Sequence, residues 1–192
     1  MTAKLPTRSA TPDFPAVLAA PELQGLAPVY QATANILILG SMPGQASLDS
    51  QQYYGHPRNQ FWPLLAQVFG IDANLDYASR CQQLLQAKVA LWDVIGRCQR
   101  QGSLDSAIVG SSIHFNPLAE FCQQLPDLQQ IWLNGGKAAQ SFRQYQRQVQ
   151  HQQRSAGNWP ASNLIIRELP STSPAHASLS FAEKLAKWQL RA

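Results

Sequence analysis

Four short apolar runs in the sequence have the pattern of strands that are buried on both faces. They show no regular alternation of apolar and polar residues, which is typical of central strands in a parallel sheet. The runs are Asn35–Leu39, Val89–Trp92, Ile131–Leu133 and Leu164–Ile166. Between them, apolar residues recur at helical spacing. Strands that alternate with helices predict an α/β fold, in which helices cover both faces of a parallel sheet.

Two of the predicted helices are recognised by an apolar face. The faces consist of Phe61, Leu64, Leu65 and Val68 in the first helix, and of Ala138, Phe142, Tyr145 and Val149 in the second. Each helix follows one of the predicted strands, as the alternating pattern requires.

Capping residues predict two further helices. Asn116 and Pro117 are typical of an N-cap and a first helical position, and they predict a helix that continues to about Gln124. Ser180 and Glu183 form a capping box at the start of the last helix. The apolar residues that this last helix is expected to bury are Phe181, Leu185 and Trp188.

Prolines interrupt every apolar stretch near the N-terminus. They are Pro6, Pro12, Pro15 and Pro21. Residues 1–24 are therefore predicted to be a loose proline-rich tail, followed by one domain over residues 25–192. The interruptions also argue against a signal peptide. No apolar run in the chain approaches the roughly 18–20 residues that a membrane helix needs.

The cysteines indicate a reducing compartment. Cys81, Cys98 and Cys122 are odd in number and too far apart for a disulfide framework or a typical zinc site. We expect buried small side chains instead. The protein is therefore predicted to be cytoplasmic, without a metal and without a membrane contact.

The charge balance permits an anionic partner without requiring one. The 192 residues include 15 Lys and Arg against 11 Asp and Glu, which gives a net charge of +4, and only 14% of residues are charged. No acidic residue lies between Leu128 and Arg167. The basic residues of that stretch are Lys137, Arg143, Arg147, Arg154 and Arg167. Arg143, Arg147 and Arg154, with His151, share one helix face, which is either a solvated outer surface or a contact to phosphates.

Polar loops follow the predicted strands, where a parallel sheet collects its ligand groups. The loop Gly40–Gly44 can bring backbone N–H groups close to a ligand. The Asn134 amide can form hydrogen bonds with a base edge or a carbonyl, and the Lys137 ammonium group can bind a phosphate. A capping asparagine and a solvated lysine are the structural alternatives. The loop Leu169–His176 is rich in hydroxyls and stiffened by proline, so it can clamp phosphates or form a simple turn.

The segment Tyr53–Trp62 combines aromatic surface, charge and amide groups ahead of a helix. Such a set can bind a base and a phosphate. The structural alternative is that Asn59 caps the helix that carries Phe61 and Trp62, while the tyrosines cover its edge.

Taken together, these segments resemble the uracil-DNA glycosylase superfamily, and within it the hypoxanthine-DNA (deoxyinosine) glycosylase branch. The segments that carry the resemblance are Gly40–Gly44, Tyr53–Trp62, Leu91–Ile95 with Gly102–Ser106, Asn134–Lys137 and Leu169–Ala177. The resemblance implies a three-layer αβα sandwich with a central, mostly parallel four-stranded sheet. It also implies hydrolysis of the N-glycosidic bond of a deaminated base that is flipped out of double-stranded DNA, without a metal or cofactor.

The resemblance further implies roles for residues around the base. In mismatch-specific relatives an asparagine in the first loop positions the attacking water, but Met42 occupies that position here and cannot bind a water usefully. The catalytic role therefore passes to Asn59, as in the hypoxanthine branch. Tyr54 matches the aromatic residue that stacks on the base, and Asn134 matches the residue that reads its edge. Backbone groups at Gly40, Ser41 and Met42 complete the predicted base-binding set.

The predicted contacts to the DNA backbone come from three segments. They are Arg58, Lys137, Ser171, Thr172, Ser173 and His176. Uracil-specific enzymes often begin the last of these motifs with a histidine, where this chain has Leu169. His176 stands where the branch is expected to have asparagine. Asp93 is a candidate general base at a strand end, or else part of the pocket architecture.

Three functions remain open from the sequence. The leading one is excision of hypoxanthine by a monomeric enzyme. A uracil or G·U-mismatch glycosylase would share the fold, but Met42 and Leu169 speak against it, because both usual uracil-handling side chains are missing. A non-catalytic DNA-binding module is the alternative from another class.

Overall fold

A parallel four-stranded sheet forms the centre of the fold. The computed structural model describes residues 20–152 and 163–189. The strands are β1 (Glu22–Gln24), β2 (Ile36–Gly40), β3 (Val89–Asp93), β4 (Ile95–Gln99), β5 (His114–Phe115), β6 (Gln130–Asn134) and β7 (Ile165–Leu169). The helices are α1 (Gln45–Ser50), α2 (Phe61–Phe69), α3 (Tyr77–Gln86), α4 (Leu118–Cys122), α5 (Gly136–Gln152) and α6 (Phe181–Gln189). The central sheet has the order β3-β2-β6-β7, which confirms the four predicted strands.

The register of the sheet brings the ends of its strands together. Gly40 at the end of β2 pairs with Asp93 at the end of β3, and Asn134 at the end of β6 pairs with Leu169 at the end of β7. Since β2 lies between β3 and β6 and every pairing is parallel, these four residues share one edge of the sheet.

Both faces of the sheet are covered. Trp132 on β6 points to the layer that contains α2 and α6, where its ring lies 6.0 Å from that of Trp188 and 5.6 Å from that of Phe69. Ile131 and Leu133 point to the opposite face, because side chains alternate along a strand, and they are equally buried. The three-layer α/β architecture that the resemblance implied is confirmed.

A small antiparallel sheet was not predicted. It has the order β1-β4-β5, and its first strand, residues 22–24, lies inside the segment that was expected to be a loose tail. These three residues therefore belong to the fold. β1 and β5 have only three and two residues, and both are largely exposed, so neither carries the buried apolar run that marks a central strand.

The two predicted helix caps have different outcomes. At α6, Ser180 N–H donates to Glu183 Oε2 at 2.8 Å, and the Glu183 N–H donates to Ser180 Oγ at 3.3 Å, which confirms the capping box. The cap predicted at Asn116 is wrong. Asn116 Nδ2 instead donates to the Asp93 carbonyl at 2.8 Å, and α4 begins at Leu118, with Pro117 before it.

The predicted basic face of α5 is exposed where the structure describes it. Arg143 is exposed and forms an ion pair with Glu168, while Arg147 is exposed on the same helix. Arg154 lies outside the described residues. Arg167, on β7, is half-buried, and its Nε donates to Gln130 Oε1 at 2.8 Å. Contact of the α5 face with phosphates remains a prediction.

The three cysteines form no disulfide with one another. Cys98 is buried as expected, whereas Cys81 and Cys122 are half-buried. None of the described helices has the length and apolar character required to cross a membrane.

The loops that follow β6 and β7 touch at Gly135. This residue has a φ of +98°, and its N–H donates to the Leu169 carbonyl at 2.9 Å. A Cβ at this position would lie 2.8 Å from Ser171 Cβ, which is closer than packed carbon atoms allow. The glycine therefore permits both the backbone conformation and the contact between the two loops.

Replacement of Gly135 by alanine is expected to destabilise the protein. The left-handed conformation costs roughly 1–2 kcal/mol for a residue with a Cβ, and Ser171 must also move. We expect Gly135→Ala to lower the melting temperature by about 2–8 °C, since 1 kcal/mol corresponds to about 2–4 °C for a domain of this size. Gly136→Ala is the matched control, because a Cβ there meets nothing within 4 Å. Equal melting temperatures for the two variants would contradict this assignment.

Candidate active site

A cavity of about 620 Å³ lies at the carboxyl edge of the central sheet. Five parts of the chain line it: residues 40–47, residues 53–59 in part, Asp93 with residues 103–106, Asn134, and residues 171–176. The predicted site residues that line the cavity are Gly40, Ser41, Met42, Tyr54, Asn59, Asn134, Ser171, Thr172, Ser173 and His176. Arg58 and Lys137 are outside this lining.

Side chains from the segment after β4 hold the first loop in place. Arg100 is completely buried; its Nη2 donates to the Pro43 carbonyl at 2.6 Å, and its Nε donates to the Gly102 carbonyl at 2.9 Å. Ser41 Oγ donates to the Asp105 carboxylate at 2.8 and 2.9 Å. Sequence reasoning assigned no role to Arg100 or Asp105, because these contacts join residues 57 and 64 positions apart.

The first loop keeps two backbone donors for a ligand. Its carbonyls are engaged: those of Gly40 and Ser41 each accept from the β3–β4 connection at 2.9 Å. The N–H groups of Ser41 and Met42, by contrast, make no hydrogen bond within the described part of the chain. The Met42 side chain packs with Ile95, Cys98 and Ile108. At this residue, therefore, only the backbone can form a hydrogen bond with a polar ligand.

Tyr54 forms a rigid part of the cavity wall. Its backbone has a φ of +55°, and its ring stacks on Phe61 with centroids 3.7 Å apart and planes 20° apart. Its hydroxyl is buried without a hydrogen bond in the described structure. Burial, reinforced by the Asp93 carboxyl, raises the pKa of this hydroxyl far above its ordinary value. Phe61 thus covers one face of the Tyr54 ring, so a flipped base could stack only on the opposite face.

Asn59 lies just before α2 and lines the cavity. Its Oδ1 accepts from the Phe61 N–H at 3.0 Å, but Gln60 occupies the N-cap position, so the predicted cap at Asn59 is wrong by one residue. The amide oxygen retains a second lone pair, and the Nδ2 group makes no hydrogen bond to a described residue. The hydrogen bond to Phe61 fixes the side chain while leaving part of its hydrogen-bonding capacity available to a ligand.

Asn134 and Thr172 are joined by two hydrogen bonds. Asn134 Nδ2 donates to Thr172 Oγ1, and the Thr172 N–H donates to Asn134 Oδ1, both at 3.0 Å. Thr172 is completely buried, and its carbonyl accepts from the Gln60 N–H at 3.0 Å. Both backbone groups of Thr172 are engaged inside the protein, and its hydroxyl accepts from Asn134 but donates to no described residue. The predicted contact of Thr172 with the DNA backbone stays a prediction. Asn134 lines the cavity, but its amide is largely committed to this contact.

Helix α6 anchors the loop that follows β7. Lys184 is buried; its Nζ donates to Gln60 Oε1 and to the His176 carbonyl, both at 2.9 Å. Trp188 Nε1 donates to the Pro170 carbonyl at 3.2 Å. Burial lowers the pKa of Lys184. A signal for this lysine was present, since position 184 lies on the same helix face as Phe181 and Trp188.

Asp93 lies at the cavity with no hydrogen bond to either carboxyl oxygen from any described residue. It is only 4% exposed, and its Oδ2 is fully buried. Burial first, and then the nearby Asp105, raise the pKa of the Asp93 carboxyl to about 8, against the opposing effect of Arg100. This pKa favours the protonated form of Asp93 at neutral pH; its candidate role as a general base stays a prediction.

Two hypoxanthine DNA glycosylases are similar to this chain. The protein of that name from Methanosarcina barkeri (strain Fusaro / DSM 804) is 38% identical over 118 residues, which are 61% of this chain and 73% of the relative. Its counterpart from Methanosarcina acetivorans is 36% identical over the same lengths. A solution NMR structure of a candidate uracil DNA glycosylase from Methanosarcina acetivorans superimposes with a TM-score of 0.69 at 29% identity, covering 88% of this chain and 96% of that one.

The sequence profile described as the Uracil DNA glycosylase superfamily matches residues 27–190. That range contains the whole parallel sheet and every segment that lines the cavity. The chain belongs to the uracil DNA glycosylase superfamily.

Proposed function

We propose that this DNA glycosylase excises hypoxanthine from deoxyinosine in duplex DNA. The observation that carries the proposal is the distribution of amide groups in the cavity. Of the two asparagines that line it, Asn134 is bound at both amide atoms by Thr172, whereas Asn59 retains free capacity. The first loop carries Met42 instead of an amide. The names of the two Methanosarcina relatives support the same substrate.

The base would enter the cavity by flipping out of the duplex. Flipping costs a few kcal/mol, least for a mispaired base, and stacking on Tyr54 would recover roughly 1–3 kcal/mol. The N–H groups of Ser41 and Met42 would donate to the base. Lys137, Arg58 and the rim residues Ser171, Ser173 and His176 would contact the DNA backbone.

Cleavage of the C1′–N bond sends its electron pair to the base and leaves positive charge on the sugar. A water molecule then adds to C1′ and releases a proton to the solvent, while the departed base anion takes up a proton from the solvent. We assign the orientation of this water to the Asn59 amide oxygen, whose position the hydrogen bond from the Phe61 N–H fixes. Backbone donors aimed at the base would stabilise the negative charge that it gains.

Removal of the Asn59 amide is expected to abolish excision. The test incubates the protein with end-labelled duplexes that contain one inosine, xanthine or uracil, and then cleaves abasic sites with alkali. We expect scission at inosine by the wild type, and a rate at least about 100-fold lower for Asn59→Ala, with most duplex binding retained. Absence of scission at all three bases would contradict the enzyme assignment, and scission at uracil alone would contradict the preference for hypoxanthine.

Two variants separate catalysis from folding in this test. Asn59→Ala also removes the hydrogen bond from the Phe61 N–H, which typically contributes about 1 kcal/mol. Asn59→Ser can retain this hydrogen bond with its hydroxyl, but the side chain is too short to hold the water, so it should lose excision at a nearly normal melting temperature. Gln140→Ala removes an exposed amide from α5 and should behave as the wild type.

Arg58 is expected to contribute to affinity but not to base choice. It is exposed beside the cavity segment, so it can reach a phosphate. Loss of one phosphate contact should reduce the slope of log affinity against log salt by about 0.9. We expect Arg58→Ala to weaken binding of lesion and lesion-free duplexes equally. Arg97→Ala is the control, since Arg97 pairs with Glu22 at 3.5 Å; equal salt slopes for both variants would contradict the role of Arg58.

A further inference from the structure

The Asp93 carboxyl forms no hydrogen bond with any residue that the structure describes, so no structural task is evident for it there. The backbone of Asp93 does the structural work: it pairs with Gly40 in the sheet, and its carbonyl accepts from Asn116. The side chain is buried against Gly40, where a Cβ would collide with Asp93 Oδ1. A buried polar group without a partner is costly, and an apolar side chain would avoid that cost. Asp93 is therefore a candidate for ligand binding.

The groups around Asp93 favour its neutral form. The Tyr54 hydroxyl lies beside it, since both groups approach the Cβ position of Gly40, whereas the Tyr53 hydroxyl donates to the Leu26 carbonyl at 3.2 Å. The pKa values of both tyrosines are raised, chiefly by burial and then by Asp93 itself. Asp105, from the segment after β4, opposes ionisation of Asp93, and Arg100 at the end of β4 favours it. Arg100, however, donates to the carbonyls of Pro43 and Gly102 and forms no hydrogen bond with Asp93.

We propose that protonated Asp93 donates a hydrogen bond to the carbonyl that deamination creates on the flipped base, and thereby favours hypoxanthine over adenine and uracil over cytosine. This inference rests on the proposed glycosylase function and adds a specificity-determining residue to it. Asp93 lies next to Gly40 at the strand ends, beside the predicted stacking residue Tyr54, and it lines the same cavity as Asn59.

The chemistry of deamination explains the selection. Adenine and cytosine carry an exocyclic amino group, which donates hydrogen bonds, and deamination replaces it by a carbonyl, which only accepts. An ionised carboxylate only accepts, so it would favour the undamaged base. A protonated carboxyl can donate to the new carbonyl. As the glycosidic electron pair moves into the base, the carbonyl becomes more negative and this hydrogen bond strengthens, while the proton stays on Asp93.

Two substitutions test the donor role. Asp93→Asn keeps a neutral donor of almost the same shape, and Asp93→Leu removes the donor at a similar size. In single-turnover excision of inosine at pH 7, we expect Asp93→Asn to remain within about 10-fold of the wild type and Asp93→Leu to fall by about 100-fold or more, as the loss of one aligned donor does elsewhere. An Asp93→Asn rate as low as that of Asp93→Leu would overturn the proposal, as would an Asp93→Leu rate equal to that of the wild type.

The pH profile distinguishes a donor from a base. The pKa of about 8 predicts that the wild-type rate falls as pH rises through about 8, because the donor proton is lost. Asp93→Asn should lack this decline. Both proteins act on the same duplex, so titration of the substrate base affects them equally. A wild-type rate that rises through pH 8, or an identical decline in both proteins, would overturn the donor role.

Thermal stability gives a readout that is independent of activity. In the native state the carboxyl keeps its proton up to pH 8, whereas in the unfolded chain it ionises near pH 4, so wild-type stability decreases between these values. Asp93→Asn should escape this loss and gain at least about 3 °C in melting temperature over the wild type at pH 8, with little gain at pH 4. A pH-independent difference would contradict a neutral buried Asp93.

The two levels of the proposal fail in different ways. If the wild type releases no base from inosine, xanthine or uracil duplexes, the proposed function fails. The wild type could instead excise inosine while Asp93→Asn is as slow as Asp93→Leu, or while Asp93→Leu is as fast as the wild type. In either case only the donor role fails. Should Asp93→Leu not fold, the paired pH profiles of the wild type and Asp93→Asn still decide the question.

Discussion

Buried backbone groups at the ends of the central strands need hydrogen-bond partners, and much of the site consists of the side chains that supply them. Asn116 serves the Asp93 carbonyl, Asn134 binds Thr172 across the ends of β6 and β7, and Arg100 holds the Pro43 carbonyl. These partners come from distant parts of the chain. The cavity is therefore bounded by loops that cannot move independently of the sheet, which is the condition for a preorganised site.

The charged side chains around the cavity also need hydrogen-bond partners, or else a neutral form. DNA is polyanionic, so ionised carboxylates at the cavity floor would oppose binding. The two carboxyl oxygens of Asp105 share the single hydroxyl proton of Ser41. Burial raises the pKa of Asp105, against the opposing effects of Ser41, Arg100 and Lys137. Burial also raises the pKa of Asp93 to about 8, which favours its neutral form at pH 7. The buried Lys184 is directed to two oxygen acceptors. The site thus relies on neutral donors and amides, in keeping with a chain in which only 14% of residues are charged.

The sequence predicts the sheet better than it predicts the contacts between loops. The four central strands are found because each is a short, fully apolar run, and the rule that ligand groups collect at strand ends then selects the correct loops. The cap at Asn116 was wrong because its side chain binds Asp93, a residue far away in the sequence, which local pattern cannot reveal. The contact between Asn134 and Thr172 was missed for the same reason. β1 was not predicted because it is only three residues long and mostly exposed. Burial of Lys184 could have been predicted from the sequence, because its position falls on the buried face of α6.

In the proposed mechanism, Asn59 and Asp93 would divide the chemical demands of the reaction in a way that removes the need for a carboxylate base. Cleavage that develops positive charge on the sugar makes C1′ strongly electrophilic, so the water needs orientation more than deprotonation. The Asn59 amide, fixed by its hydrogen bond from the Phe61 N–H, can supply that orientation. The larger demand then falls on the departing base, which must accept an electron pair. A protonated carboxyl beside the free N–H groups of Ser41 and Met42 stabilises that charge, whereas an ionised one would repel it. Protonation of Asp93 is therefore what allows an acidic side chain to face a leaving group that becomes an anion.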